Sequence, residues 1–427
     1  MKLRPTPYAV PLLLLAATLF FHPGARAAGE TPESLTLGQC LDIALSRNPR
    51  WLSAAEDYQA SLARVRQAKA FAQPALQWDS DLEPHPLSFR RSGESYFGVS
   101  QFLEFPGKRL LRGRIAALES EEVRADQSRL ELDIRFEVKQ AFYGVLLAEE
   151  KLGYARQDLE LSLDFRQKAE AKFQAGDVAR MEAVRAGVEA AKAATALRLA
   201  ESEVRRAKAA LNYVLGRPEF EPLELAGDLV REPVPIDTEA LRRKALTARP
   251  EMGKLRLRMD EESKRKTWGL MSYLPDFDLG LFRHRLQGEP TTWDFTLSIS
   301  VPLFFWQPAR GEIAEAAANM RSLEKQSRDL QNRIGLEVGQ AGLQAETAAE
   351  QISLFQHDIL AQAEEVYNLA LFSFQEGETS GIELIEARRT LIESRKAYAD
   401  CLYNFSLALA ELEKSVGQPL QGVENAK

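Results

Sequence analysis

The chain has 427 residues, with 55 basic against 62 acidic side chains and a formal charge of −7, so it lacks the basic footprint that nucleic-acid binding requires. A mean hydropathy of −0.29 with 27 % charged residues does not describe a bundle of apolar membrane helices. Two cysteines and four scattered histidines supply neither a disulfide framework nor a protein-built metal site.

Lys2 and Arg4, the apolar run from Val10 to Phe21 and then Ala25-Arg26-Ala27 have the layout of a signal peptide over 1–27, cut after Ala27. The run is too short to span a bilayer as a helix. Loss of Lys2, Arg4 and Arg26 takes the formal charge from −7 to −10. Cys40 and Cys401, near the two ends of the exported chain, read either as a bridge or as two separate half-buried thiols.

Helical periodicity and strong helix formers predict a leading helix over about 35–72. Two alternating segments follow, about 75–83 and 95–105. In the first, Leu76, Trp78 and Leu82 alternate with Gln77, Asp79, Asp81 and Glu83; in the second, Phe97, Val99, Leu103 and Phe105 alternate with Gly98, Ser100 and Glu104. Glycine and proline then become scarce, and a helix is predicted over about 107–174, on the order of 100 Å long. Val138, Phe142, Val145, Leu152, Leu159 and Leu163 form its apolar lattice. The turn Ala175-Gly176-Asp177 ends it, with glycine where a helix C-terminus favours it. A return helix runs to Gly216, and the proline-rich stretch 217–236 reads as a connector with a short strand.

The chain then repeats itself. LTLGQCLDIALSRNPR at 35–50 returns as IDTEALRRKALTARPE at 236–251. Arg112-Gly113-Arg114-Ile115 returns as Arg310-Gly311-Glu312-Ile313, Glu137-Val138 as Glu337-Val338, and Phe173-Gln174-Ala175-Gly176 as Phe374-Gln375-Glu376-Gly377. The order is therefore a first repeat over 28–216, the connector, a second repeat over 237–417 and a tail over 418–427. The second repeat has a leading helix at about 238–273, strands at about 275–284 and 292–303, and a long helix at about 306–375 with Ile352, Phe355, Ile359, Val366 and Leu369 on its seam. Each strand has the length and two-faced pattern of a tilted transmembrane β-strand, with Trp78, Tyr96, Phe105, Trp293, Phe305 and Trp306 at or near strand ends. The same pattern fits two hairpins packed on a soluble core. Four strands cannot close a barrel, and an open edge is forbidden in lipid. If they span a membrane, several chains must share one barrel.

This duplicated order, together with Leu45-x-x-Asn48-Pro49, its echo Leu246-x-x-Arg249-Pro250, and Gly377 followed by Glu383-Leu384-Ile385-Glu386-Ala387, resembles the outer-membrane efflux protein family of TolC-like channels. The resemblance covers the chain from about Leu35 to Gly417. It implies a mainly α fold with a transmembrane β section: a homotrimer with one twelve-stranded β-barrel and a long periplasmic α-helical barrel. It also implies a location in the outer membrane, extending into the periplasm. The implied function is a passive exit duct, not an enzyme and without a cofactor, whose partners are outer-membrane lipid, a periplasmic adaptor and an inner-membrane pump. The segment Gln101-Phe102-Leu103-Glu104-Phe105-Pro106-Gly107-Lys108-Arg109 looks most like the branch that serves heavy-metal cation pumps.

The same resemblance makes Gly176, Asp177, Arg180, Gly377, Glu378 and Thr379 the adaptor-contacting tips. Glu182, Glu383 and Glu386 match acidic positions at the closed end of the tunnel, where three copies form carboxylate rings; on residue type alone they are equally solvated helix-surface acids. Arg185 stands where the second repeat has Glu386, so an Arg–Glu pair between neighbouring hairpins is expected to hold the tip shut. His85 and His284 fall near the outer loops and read as solvated. The rival reading is an exported periplasmic coiled-coil adaptor without a barrel. Such adaptors carry one hairpin between compact β domains, not two equal halves with strands between helices.

Overall fold

The computed structural model describes residues 34–81, 93–230, 236–301, 304 and 308–420. The signal segment, His85, the expected strand ends at 82–83 and 302–303, Phe305, Trp306 and the end of the tail lie outside these residues.

Each leading helix is two helices, not one. α1 (Leu37–Arg47) and α2 (Pro49–Ala68) break at Asn48, as α5 (Thr238–Ala248) and α6 (Pro250–Met271) break at Arg249. Proline forces the residue before it out of the helical region, and both Asn48 and Arg249 are extended. Asn48 turns the break into a cap, its side chain accepting from the Arg50 N–H at 2.9 Å. The long helix α3 (Lys108–Ala175) and return helix α4 (Arg180–Leu215) follow the first strands.

The second long arm is α7 (Pro308–Leu354), one π turn (Phe355–Ile359) and α8 (Leu360–Glu376), and it returns through α9 (Gly381–Val416). The π turn has a cause in the sequence. From Glu337 to Phe374 there is one residue more than from Glu137 to Phe173, and a wide turn absorbs one inserted residue without unwinding the helix.

β1 (Ala75–Ser80), β2 (Glu94–Leu103), β3 (Asp276–Leu286) and β4 (Thr292–Ser300) form one antiparallel sheet in chain order. The repeats meet at β2–β3. The register stacks Leu76, Val99, Leu281 and Phe295 in one row and Trp78, Phe97, Arg283 and Trp293 in the next. Asp79, Tyr96, His284 and Thr292 line up on the opposite face. The apolar face is bare: Leu76 is 78 % exposed, Trp293 67 % and Phe295 69 %. A hairpin pair packed on a soluble core would cover these residues. Gly98 and Gly280 leave room for the Phe282 ring, which a Cβ on either would strike at 2.5 Å or closer.

Below the sheet α2, α3, α6 and α7 pack in sequence, and toward the far end α4, α3, α9 and the α7–α8 arm do the same. The main core sits midway, where Cys40, Ala44, Val138, Phe142, Leu211, Leu402 and Phe405 meet. The connector contributes Leu223 and Leu229 to it and, among its described residues, a single parallel bridge between Leu225 and Leu35. Both cysteines are free and buried; burial pushes the Cys40 thiol up to about 11. Lys139 of α3 and Glu413 of α9, each 8 % exposed, form a buried ion pair beside this core.

The expected seams hold only in part. Val138, Phe142, Val145 and Ile352 are buried, but below them the buried line of α3 runs through Ala155, Ser162, Phe165 and Ala169. Leu163, Ile359, Val366 and Leu369 are exposed in the chain. No described helix is long and apolar enough to cross a membrane.

Candidate functional site

The two helical hairpins end side by side, and each tip is built the same way. Gly176 and Gly377 adopt φ of +86° and +83°, a left-handed conformation that glycine adopts without a Cβ penalty. At the first tip the Asp177 N–H donates to Lys172 O at 2.9 Å, and at the second the Glu378 N–H donates to Ser373 O at 2.9 Å. These bonds satisfy carbonyls that a helix end would otherwise leave open. Asp177, Arg180 and Glu378 are exposed, and Thr379 is half-buried.

A small core joins the tips. Phe165 and Ala169 of α3, Ala186 of α4, Tyr367 and Phe374 of α8, and Leu384 and Leu391 of α9 pack together. The Phe165 and Phe374 rings meet edge to face at 5.3 Å. Gly381 opens α9 against this core; a Cβ there would lie 3.0 Å from Phe165 and 3.2 Å from Glu182 Oε2. Glu182 is thereby held half-buried beside the start of α9. Glu383 and Glu386 are exposed on α9. Among the described residues Arg180, Arg185, Glu182, Glu383 and Glu386 form no ion pair within the chain.

Two cations that the sequence did not single out bind the hairpins to each other. Arg388 of α9 is 6 % exposed. Its guanidinium pairs with Asp158 and donates to Ser162 Oγ, both on α3, and pairs with Glu189 of α4 at 3.2 Å. Lys172 of α3 donates from Nζ to the carbonyls of Phe374 and Gln375 at 2.8 and 3.0 Å, placing a cation on the negative end of α8. The partners lie some 200 residues apart in sequence, and neither cation differs in local pattern from its exposed neighbours. No sequence signal could have found them.

At the other end of the chain His284 is not a loop residue. It sits in β3, stacks on Tyr96 at 4.3 Å and bonds through Nε2 to Glu94 Oε1 at 2.8 Å. Among the described residues no group of three or more His, Cys, Asp or Glu is arranged to hold a metal ion.

The family model described as outer membrane efflux protein matches residues 40–217 and again 241–418. The cobalt-zinc-cadmium resistance protein CzcC of Cupriavidus metallidurans is 24 % identical over 392 residues, 91 % of each chain. Among solved structures the channel CusC superposes with a TM-score of 0.75 at 17 % identity, covering 92 % of this chain and 96 % of that one. The Campylobacter jejuni outer membrane channel CmeC superposes with a TM-score of 0.70 at 16 % identity, covering 96 % and 94 %. The mainly helical fold with its one small sheet is the fold of these channels.

Proposed function

The chain belongs to the outer membrane efflux protein family and is an outer-membrane efflux channel; from that premise we propose that three copies close into one duct. The observation that carries the trimer is that everything in the chain is open at both edges. β1 and β4 have no outer partner among the described residues, while their apolar face is bare. The row of helices ends at α4 on one side, where Met181, Val184, Val188 and Leu199 are exposed. It ends at the α7–α8 arm on the other, where Leu336, Leu343, Leu354, Val366, Leu369 and Phe372 are exposed. Closure of such a sheet in lipid needs at least about eight strands, which excludes the single chain. In the proposed trimer β4 of one copy would pair with β1 of the next, giving twelve strands, and α4 of one copy would cover the α7–α8 flank of another. The sheet's polar face then lines the pore and its apolar face meets lipid. The two family matches support reading each repeat as one structural unit.

On this reading the duct is passive, and an inner-membrane pump and a periplasmic adaptor supply energy and cargo at the tips. The CzcC likeness supports divalent heavy-metal cations as that cargo. Three copies each of Glu182, Glu383 and Glu386 form carboxylate rings at the narrow end, and Arg185, which makes no ion pair among the described residues, pairs with an acid of the neighbouring copy. Detergent extraction of the outer-membrane fraction followed by mass measurement tests the assembly: a trimer is expected, and a soluble periplasmic monomer would overturn it. Conductance in a planar bilayer tests the gate. Arg185→Ala is expected to raise basal conductance, and an unchanged conductance and pH response would remove Arg185 from the gate. Loss of cobalt, zinc and cadmium tolerance on deletion tests the cargo, and tolerance unchanged for all three would reject it.

A further inference from the structure

Far from the tips, α3 of the first repeat packs on α6 of the second, and two carboxyl groups are buried at that seam. The Glu122 side chain is 13 % exposed and that of Glu261 11 %. They lie within hydrogen-bonding reach of each other. Glu122 Oε2 faces Arg258 Nε at 3.3 Å, and Glu261 Oε1 accepts from Arg265 at 2.6 Å. Glu122 Oε1 is buried with no donor. Two carboxylates cannot donate to each other, and an unpaired buried acceptor next to a second negative charge is costly. A single proton between them removes both costs.

We propose that Glu122 carries a proton directed at Glu261 and acts as a proton-operated catch between the two repeats, holding α3 against α6 when the proton is bound and loosening that seam when it leaves. The surrounding charges do not replace that proton. Lys254 is engaged by Asp126 at 2.6 Å and Arg265 is shared with Glu119 at 2.9 Å. Glu262 adds another acid, held by Asn319 of α7 at 3.2 Å. A cavity of about 1040 Å3 walled by α2, α3, α6 and α7 has Arg64 of α2 and Glu312 and Glu315 of α7 in its lining. Glu261 lines that cavity, which gives the proton a route to solvent. Burial first, and then the hydrogen bond and charge of Glu261, push the Glu122 carboxyl up to about 7, against the pull of Arg258 and Lys254.

The direction of the pH effect follows. A raised carboxyl keeps its proton in the folded chain while the unfolded chain releases it, so stability falls as pH rises from the ordinary value of 4.5 to about 7 and is flat above that. The catch does not depend on the cargo or on the gate at the tips.

The test uses the full-length protein in detergent. An infrared difference spectrum between acid and alkaline buffer is expected to show one protonated carboxyl lost with a midpoint near 7. The band should vanish in Glu122→Gln, move to a lower midpoint in Glu261→Gln and persist unchanged in Glu119→Gln. Amide exchange of α3 and α6 along the seam should rise with pH beyond the intrinsic chemical rate in the parent and not in Glu122→Gln. No such band in the parent, a band surviving in Glu122→Gln, a midpoint unmoved in Glu261→Gln, or seam exchange that tracks the intrinsic rate would each overturn the proposal. Should Glu122→Gln fail to fold, the parent spectrum and Glu261→Gln carry the test.

Discussion

Substitution of Arg388 by methionine keeps most of the side-chain volume, removes the charge and leaves Asp158 and Glu189 without their common cation. The Arg388 side chain is 7 % exposed and its two acids 17 % and 18 %, so water can replace little of what is lost. Removing one partner of a buried pair costs about 3–5 kcal/mol. At about 1.4 kcal/mol per factor of ten, that is roughly two to three and a half decades in a local opening equilibrium. Amide hydrogen exchange reads this directly, on peptides around Asp158 in α3 and Arg388 in α9. Glu189 retains Lys192 at 2.7 Å, so Asp158 is the more exposed to the loss. Adding Asp158→Asn to the methionine variant is expected to restore most of the protection by removing the unpaired charge. An acceleration of less than about fivefold in Arg388→Met, the size of a surface ion pair, would refute the view that this cation holds the hairpins together.

Three further outcomes are expected. Gly381→Val, which drives a branched side chain into Phe165 and Glu182, should destabilise the tip by about 1–3 kcal/mol, seen as faster exchange around the tip with the sheet unaffected. Lys172→Met should cost about 1 kcal/mol and loosen the amides at the end of α8 but not those at the end of α3, since Lys172 caps only the former. Cys40, fully buried with its thiol pushed up to about 11, should resist alkylation at neutral pH in the folded protein and react on unfolding, as should Cys401; mass spectrometry after labelling checks both.

The alternating segments made the four strands and their two faces legible, because a strand face repeats every second residue, while the row-by-row pairing across the sheet was not. The long arms were legible from missing glycine and proline, and the tips from Gly176 and Gly377. The prolines at 49 and 250 were visible, but their effect was not drawn: two short helices in place of one. Below Val145 and Ile352 the seam was misplaced, because an apolar residue awaiting a neighbouring chain has the same type and spacing as one packed in its own. Leu163 and Val366 are exposed in the chain, and the proposed trimer would give them that neighbour. His284 read as solvated at the end of its expected strand, because the strand continues to Leu286, past the alternation that announced it. Arg388, Lys172 and the Glu122–Glu261 pair were out of reach, since each is defined by a partner on a distant helix.

The π turn gives the two arms different mechanics. α3 is an unbroken rod of 68 residues, so a twist applied at its tip is passed along its whole length. The opposite arm carries a widened turn at Phe355–Ile359, the kind of site at which helices bend, and there Gln356 bonds to the Tyr398 hydroxyl of α9 at 2.8 Å. Torsional load on the pair is therefore taken up unequally. The first arm serves as the stiff post and the second as the jointed one, so a single inserted residue makes the compliance of the two tips unequal.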